Sequence, residues 1–393
     1  MNNMLTKKIL LNTVLCAVSL ILLLWALYGE FNFHELTTDV IDHANWSKGL
    51  YESNQTEYAS TIRAYPLFFL ITGYIGGIID SANVGIMVAG ALFQVICFIS
   101  IAYYINNRLV SEKMNIWLVG VFTFALCFIW PVDLNLSILR GVETPWTLYL
   151  RTFSTAPTHN LTFLAPKGLS LLIVMLFCDS LKKINYEKKL LLLSVALFIT
   201  VLLKPCFYQH FVIAGTILVI FCFLKKISLD SFEYSVLMAL SFIPATAWVL
   251  FSGIGMDDIH FTIMPFASIL IFNESIFQAI ISLISGIFFC IIVLIVSLIK
   301  KYRSLELRFA WLCFAISIVE LVLLIEPNDF YSINMAWGYM SAMFILFCVS
   351  YVTMENMYLK GYIGKKITFA LRAVLLWHAL VGVYAYIQNG IAS

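Results

Sequence analysis

The chain has 393 residues, 62% of them hydrophobic and 12% charged; a soluble domain is nearer half apolar and a quarter charged, and one aqueous core cannot hide so much apolar surface. Its net charge of +2 comes from basic residues in short clusters between apolar runs, so nothing calls for nucleic acid as a partner. The nine cysteines lie in or beside apolar segments, which suggests packing residues and neither a disulfide framework nor a Cys-rich metal site.

Apolar runs recur along the whole length near the size that crosses a bilayer, so the expected fold is an all-α polytopic integral membrane protein of about 11–12 transmembrane helices. It reads as a single transmembrane domain over 1–393, with no soluble domain, linker or internal repeat. Ile9 to Tyr28 follows Lys7 and Lys8, is too long for a signal h-region and lacks a small-x-small cleavage site before Gly29; it is predicted to remain as the first helix. Further helices are predicted over 84–105, 116–134, 167–181, 190–203, 211–224, 235–251, 276–299, 309–326, 338–354 and 367–388.

Lys and Arg cluster at 7–8, at Arg108 and Lys113, and at 182–189, 225–226, 300–308 and 360–366, which the positive-inside rule puts on the cytoplasmic side. The outward loops are then 29–63, 135–166, 204–210, 252–275 and 326–337. Only one net crossing fits between loop 29–63 and Arg108, yet two apolar runs lie there. Residues 64–80 are the weaker, since Tyr65-Pro66 opens the run and Gly73, Gly76 and Gly77 interrupt it. A re-entrant or tilted helix, shielded by protein, is the expectation there.

Five of the six histidines, His34, His43, His159, His210 and His260, fall on the predicted outer side with most of the carboxylates. Long loops of mixed polar chemistry often carry a site. In the first loop, Asp39, Asp42, His43 and Trp46 share neighbouring positions if the segment is helical. Leu36, Val40, Ile41 and Ala44 then form an apolar stripe, as in an interfacial helix lying on the bilayer. A carboxylate held there beside an imidazole can act as a general base; the plain alternative is a loop helix with solvated charges.

Arg140 and Arg151 in the second loop, with Arg63, Lys167 and Lys204, suit phosphate, because guanidinium and ammonium groups bind its oxygens. The same residues can instead snorkel to lipid phosphates. Lys204-Pro205 ends a hydrophobic helix, and a lysine at that depth needs partners; His210 opens the next helix. Glu320 is the one carboxylate well inside a predicted span, and must face the bundle interior. Asp257, Asp258 and His260 could coordinate a divalent cation, though adjacent acids with a nearby His are common in loops. Walker, dinucleotide, nucleophile-elbow and zinc-helix motifs are all missing, which argues against nucleotide-driven transport by this chain alone.

The first helix, the outward loop with Asp39-x-x-x-His43 and the run Tyr65-Pro66-Leu67-Phe68-Phe69 resemble the GT-C superfamily of membrane glycosyltransferases. In that superfamily the first outer loop carries an acidic residue and is followed by a Tyr-Pro-Pro-like helix start. The resemblance covers roughly the first third of the chain. Further on, Pro157-Thr158-His159-Asn160-Leu161-Thr162, Lys204-Pro205 and Asn334-Met335-Ala336-Trp337-Gly338 are similar to features of multi-span proteins encoded with bacterial surface-polysaccharide pathways. Only one Pro follows Tyr65, and no long soluble C-terminal domain is seen, which argues against protein N-glycosylation.

The resemblance implies a bacterial inner-membrane enzyme with its active site facing the periplasm. Its donor would be an undecaprenyl-(pyro)phosphate-linked sugar and its acceptor a saccharide hydroxyl, with a chain-length regulator or polysaccharide-export proteins as partners. An O-antigen or capsule repeat-unit polymerase is preferred over a serotype-modifying single-sugar transferase. In that scheme Asp39, with Asp42 as substitute, is the base and His43 orients it or tunes its pKa. Arg63, Arg140, Arg151, His159, Asn160, Lys167, Lys204, His210 and Trp337 bind substrate, and no metal or other cofactor is obligatory. The competing class is a lipid-linked oligosaccharide flippase or transporter, for which repeat symmetry and broken helices are expected.

Overall fold

A computed structural model describes residues 2–32, 39–52, 59–109, 116–132, 145–156, 159–181, 186–225, 232–253, 262–325 and 334–391. In chain order the helices begin with α1 (Asn2–Asn32), α2 (Asp39–Glu52), α3 (Ala59–Ala64), α4 (Pro66–Ile79), α5 (Ala82–Arg108) and α6 (Ile116–Cys127). They continue with α7 (Pro145–Thr152), α8 (Leu161–Ser180), α9 (Tyr186–Leu203), α10 (Cys206–Leu224), α11 (Phe232–Leu240) and α12 (Ile243–Gly253). After the short strand β1 (Thr262–Ile263) come α13 (Ala267–Leu270), α14 (Ile276–Gly286), α15 (Phe288–Ile299) and α16 (Leu305–Leu323). Strand β2 (Leu324–Ile325) then pairs antiparallel with β1, and α17 (Met335–Leu359) and α18 (Lys365–Asn389) close the chain.

Among the described residues seven helical spans, with α11 and α12 taken together as one, are long and apolar enough to cross a membrane, or eight if α14 and α15 also count as one bent span. The chain is therefore an all-α, multi-pass membrane protein. Two further predicted spans, α9 and α16, have the length but carry Glu187, Lys188 and Lys189 in one case and Glu306, Arg308 and Glu320 in the other. All residues of α17 from Met335 to Met357 are buried, so this helix is the central pillar of the bundle.

The segment 64–80 is α4, 14 residues long and about 21 Å at 1.5 Å per residue, too short for a hydrocarbon core of about 30 Å. It runs antiparallel to α5: Phe68 stacks on Phe93 with ring centroids 6.0 Å apart, and Gly76 faces Gly85. A Cβ on Gly85 would lie 2.6 Å from Gly76 Cα, so the two helices approach as closely as they do because both residues lack side chains. Asp80 turns the hairpin in the left-handed region at φ 58°. The single crossing required between loop 29–63 and Arg108 is thus made by α5.

At the basic face the ends of α5, α8 and α16 are tied by charge. Arg108 reaches Asp179 at 2.9 Å and Glu306 at 2.8 Å, and Tyr104 donates its hydroxyl to Glu306 at 2.9 Å. Arg372 of α18 grips the fully buried Glu355 of α17 with two hydrogen bonds of 2.8 and 2.7 Å, the bidentate geometry that compensates a carboxylate for lost water.

Several boundaries depart from the sequence expectation, three of them deep in the bundle. The helix expected over 116–134 stops at Cys127, and 128–132 is non-helical. Its backbone is satisfied from elsewhere: Ser154 donates to the Ile129 carbonyl at 2.8 Å, His378 Nδ1 meets the Trp130 carbonyl at 2.6 Å, and Val132 N–H reaches Ser285. Non-helical backbone survives at membrane depth only with such protein partners. The helix expected over 276–299 bends by 72° at Ile287, where the Phe289 N–H donates to His378 Nε2. Finally, the helix expected to start at 167 begins at Leu161, capped by Asn160, with Pro166 inside it.

These ends are set back from the far ends of the neighbouring helices. Gly90 of α5 packs on Leu161, so α5 continues from there through its first eight residues, about 12 Å toward the far face. His378, level with the α6 end and the α14/α15 bend, lies eleven residues, about 16 Å, short of the α18 end. The starts and stops of α6, α8 and α15 are thus sunk below the far ends of α5 and α18.

Candidate functional site

At this sunken level the structure brings together residues from five parts of the chain. Asn160 is the N-cap of α8; its Oδ1 accepts from the Phe163 N–H at 3.2 Å, from the Thr162 hydroxyl and from Lys204 Nζ at 3.3 Å. Three donors on Oδ1 fix the amide's orientation, because Oδ1 accepts and Nδ2 only donates. Nδ2 therefore points the other way and donates to Asp39 Oδ2 at 2.5 Å.

Lys204, in the turn between α9 and α10, is 8% exposed. Its ammonium also donates to Thr162 at 2.7 Å and sits over the Trp337 ring, 4.2 Å from the centroid. These are the partners a lysine at such depth needs. Burial pushes its pKa down to about 8, against the pull of Cys206 and Asp39. His159 packs between Tyr149, 5.3 Å away, and Trp337, 5.8 Å away.

Asp39 opens α2, with Asp42 and His43 one turn on. Instead of lying on the bilayer, α2 packs against α4 and α5: Val40 and Ala44 are fully buried, and Ser47 hydrogen-bonds Thr72 of α4 at 2.6 Å. Gly73 admits this contact, since a Cβ there would lie 2.9 Å from the Ser47 carbonyl. His43 is 4% exposed, inside a cage of Trp46, Phe68 and Phe69, and its Nδ1 has no hydrogen-bond partner among the described residues. Burial first, then Lys204, pushes its pKa down to about 3 against Asp39. The hydrogen bond that orients Asp39 comes from Asn160, the role the sequence reading had given to His43. Asp42 is more open, and burial followed by Asp39 raises its pKa.

Of the residues expected to bind substrate, His159, Asn160, Lys204 and Trp337 gather around Asp39. His210 lies one turn into α10, fully buried. Lys167 is apart: about 10 Å further along α8 by helical rise, it donates to the Cys127 carbonyl at the α6 C-terminus at 3.4 Å and lies over Phe344. Arg63 is exposed at the end of α3, and Arg151 sits in the last turn of α7. Arg140, His34 and the candidate metal ligands Asp257, Asp258 and His260 lie outside the described residues, among which no three His, Cys, Asp or Glu side chains converge to hold a metal. Glu320, expected well inside a span, is three residues from the α16 end, because that helix gives way to β2.

Sequence reading missed Thr162 and Tyr149. Thr162 carried a signal, two residues after a capping Asn; Tyr149 carried none. The arrangement provides a carboxylate with one oriented oxygen, a buried cation within the same hydrogen-bond network, and an indole face between them and the bundle. It can accept a proton at Asp39 and take up developing negative charge at Lys204. Compared with known proteins, the chain matches no family model, and no curated sequence is significantly similar to it.

Proposed function

We propose that this protein is a membrane glycosyltransferase that uses a polyprenyl-(pyro)phosphate-linked sugar donor and a saccharide acceptor at the face opposite the basic clusters, the periplasmic face of a bacterial inner membrane. The observation that carries the reading is the hydrogen-bonded series Asp39, Asn160, Lys204, with the Lys204 ammonium over Trp337. In transfer, an acceptor hydroxyl oxygen forms a bond to the anomeric carbon while the bond from that carbon to the phosphate oxygen breaks. Asp39 takes the hydroxyl proton. Lys204 receives the charge that develops on the leaving phosphate, the electrostatic task that often dominates such rate enhancements. Trp337, buried against His159 and Phe163, holds the ammonium in place. Within this class we favour repeat-unit polymerisation in surface-polysaccharide synthesis over transfer of a single sugar, on the resemblance of the loop motifs described above.

A second reading is favoured by one observation. The 72° bend at Ile287 and the end of α6 at Cys127 are broken helices within the bundle, which a flippase or transporter of lipid-linked oligosaccharide would use. Asp39→Asn separates the two. In cells lacking the native gene, a polymerase variant yields single repeat units and no long-chain polysaccharide at normal membrane expression. A flippase tolerates the change, and normal chain lengths would remove Asp39 from the chemistry.

A further inference from the structure

Thr162 is the second residue of α8 and fully buried, and its hydroxyl has one proton to give. Lys204 Nζ donates to its oxygen at 2.7 Å. An ammonium cannot accept, so the Thr162 proton goes the other way, to Asn160 Oδ1. Every donor in the series Lys204, Thr162, Asn160 therefore points toward Asp39, which receives the Asn160 amide at 2.5 Å. Hydrogen bonds aligned in one direction polarise and strengthen one another. The place is otherwise hostile to a cation. It is the N-terminal end of α8, where the helix dipole is positive, and Lys204 forms no ion pair among the described residues. Of the two oxygens that accept from it, Thr162 is the nearer, at 2.7 Å against 3.3 Å for Asn160.

We infer that Thr162 is a positioning residue for Lys204: its hydroxyl holds the ammonium charged and in place over Trp337, and links it to the amide that orients Asp39. The link depends on the charge. A neutral Lys204 amine is itself an acceptor, so the Thr162 hydroxyl can turn to donate to it, and Asn160 Oδ1 then loses that donor. The other titratable groups around Lys204 are Asp39 and His43 of α2, His159 just before α8 and Cys206 at the start of α10. Burial keeps both histidines neutral, so neither adds a competing positive charge. That the ammonium serves a leaving phosphate rests on the transferase reading; the hold of Thr162 on it does not.

The test is an NMR titration of the full chain in nanodiscs with isotope-labelled lysine side chains, the Lys204 resonance being the one that disappears in Lys204→Met. In wild type its midpoint is expected at about pH 8. Thr162→Val keeps the shape of the side chain and removes the hydroxyl. The charged form then loses an acceptor, and the midpoint falls by about 1 pH unit, as loss of a hydrogen bond to a charged group implies. Thr162→Ala, which sets no methyl against the ammonium in place of the hydroxyl, shifts it the same way. Thr162→Ser keeps the hydroxyl and restores the wild-type midpoint. On the transferase reading the alkaline limb of the turnover profile moves with the resonance toward lower pH, because the ammonium is the form that takes up charge. An unmoved midpoint in Thr162→Val or Thr162→Ala, or one that Thr162→Ser fails to restore, overturns the assignment. A midpoint that moves while the turnover profile stays supports the hold of Thr162 on Lys204 and removes Lys204 from the transfer step.

Discussion

Asn160 caps α8 with one end of its amide and donates to Asp39 with the other, at 2.5 Å, so the start of a central helix and the proposed base share one side chain. Asn160→Ser keeps an efficient N-cap but cannot reach Asp39. We expect its thermal stability to stay near wild type and its turnover to fall about tenfold to a hundredfold, the worth of a hydrogen bond to a charged group. The check is a transfer assay on protein reconstituted in vesicles beside a melting curve. Unchanged turnover would mean that Asp39 needs no orienting partner.

Lys204→Met keeps the stem and removes the charge. Turnover should drop about 10²–10³-fold, as with other donors aimed at developing negative charge, and a polyprenyl phosphate should bind more weakly. Lys204→Arg should not rescue, since a planar guanidinium fits neither the Thr162 and Asn160 acceptors nor the ring contact in the same pose. Single-turnover measurements separate chemistry from binding, and full activity in Lys204→Met would sink the role.

Two histidines at the site are held neutral. Burial pushes His43 down to about 3 and His159 down to about 4, the latter against Asp39. The unfolded chain protonates each near 6.5, so between that pH and the folded values it binds more protons than the native state. Stability from these groups is complete above about pH 6.5 and is lost as pH falls toward 4, by about 1.4 kcal/mol per pH unit for each histidine. His43→Phe, which suits the cage of Trp46, Phe68 and Phe69, should flatten the acid limb. Melting temperatures of solubilised wild type and variant from pH 7.5 to about 4.5 decide this, and parallel curves would show that His43 already protonates in the fold.

His378 serves two broken helices with one ring: Nδ1 at the Trp130 carbonyl must carry the proton, and Nε2 must accept from the Phe289 N–H. His378→Phe strands both backbone groups and should cost about 2–5 kcal/mol. Leu380→Ala, nearby on the same helix but 67% exposed, should cost far less. Denaturation in mixed micelles measures both; equal effects would show that packing alone holds the break.

Hydropathy located every long helix of the bundle, because a bilayer-length apolar run has few other uses. It carried α6 too far, since Phe128, Ile129, Trp130 and Val132 are as apolar as the helix before them. Pro131 was the available warning, as the residue before a proline avoids helix; the partners that hold the stretch, Ser154, Ser285 and His378, are distant in sequence. Around Ile287 only Gly286 marks the bend. At the site, Asp39, Asn160, Lys204 and Trp337 were each legible as residue types in polar surroundings. Their convergence was not, because the Asp39 to Asn160 contact spans 121 residues and depends on α2 docking over Gly73. Lys167 was legible as a cation near a helix end, but composition could not tell a phosphate ligand from a cap on the α6 carbonyls.

The sunken level of the α8 cap has an electrical side. Lys204 lies about 12 Å below the far end of α5, a helix of 27 residues and so about 40 Å against a hydrocarbon core of about 30 Å. On the proposed function, a negatively charged head group that reaches it from the far face crosses part of the membrane voltage, of which the whole drop is worth about 2.3 kcal/mol per charge at 100 mV. With the basic face negative, that step runs uphill, and an energised membrane holds the leaving anion less firmly than a depolarised one.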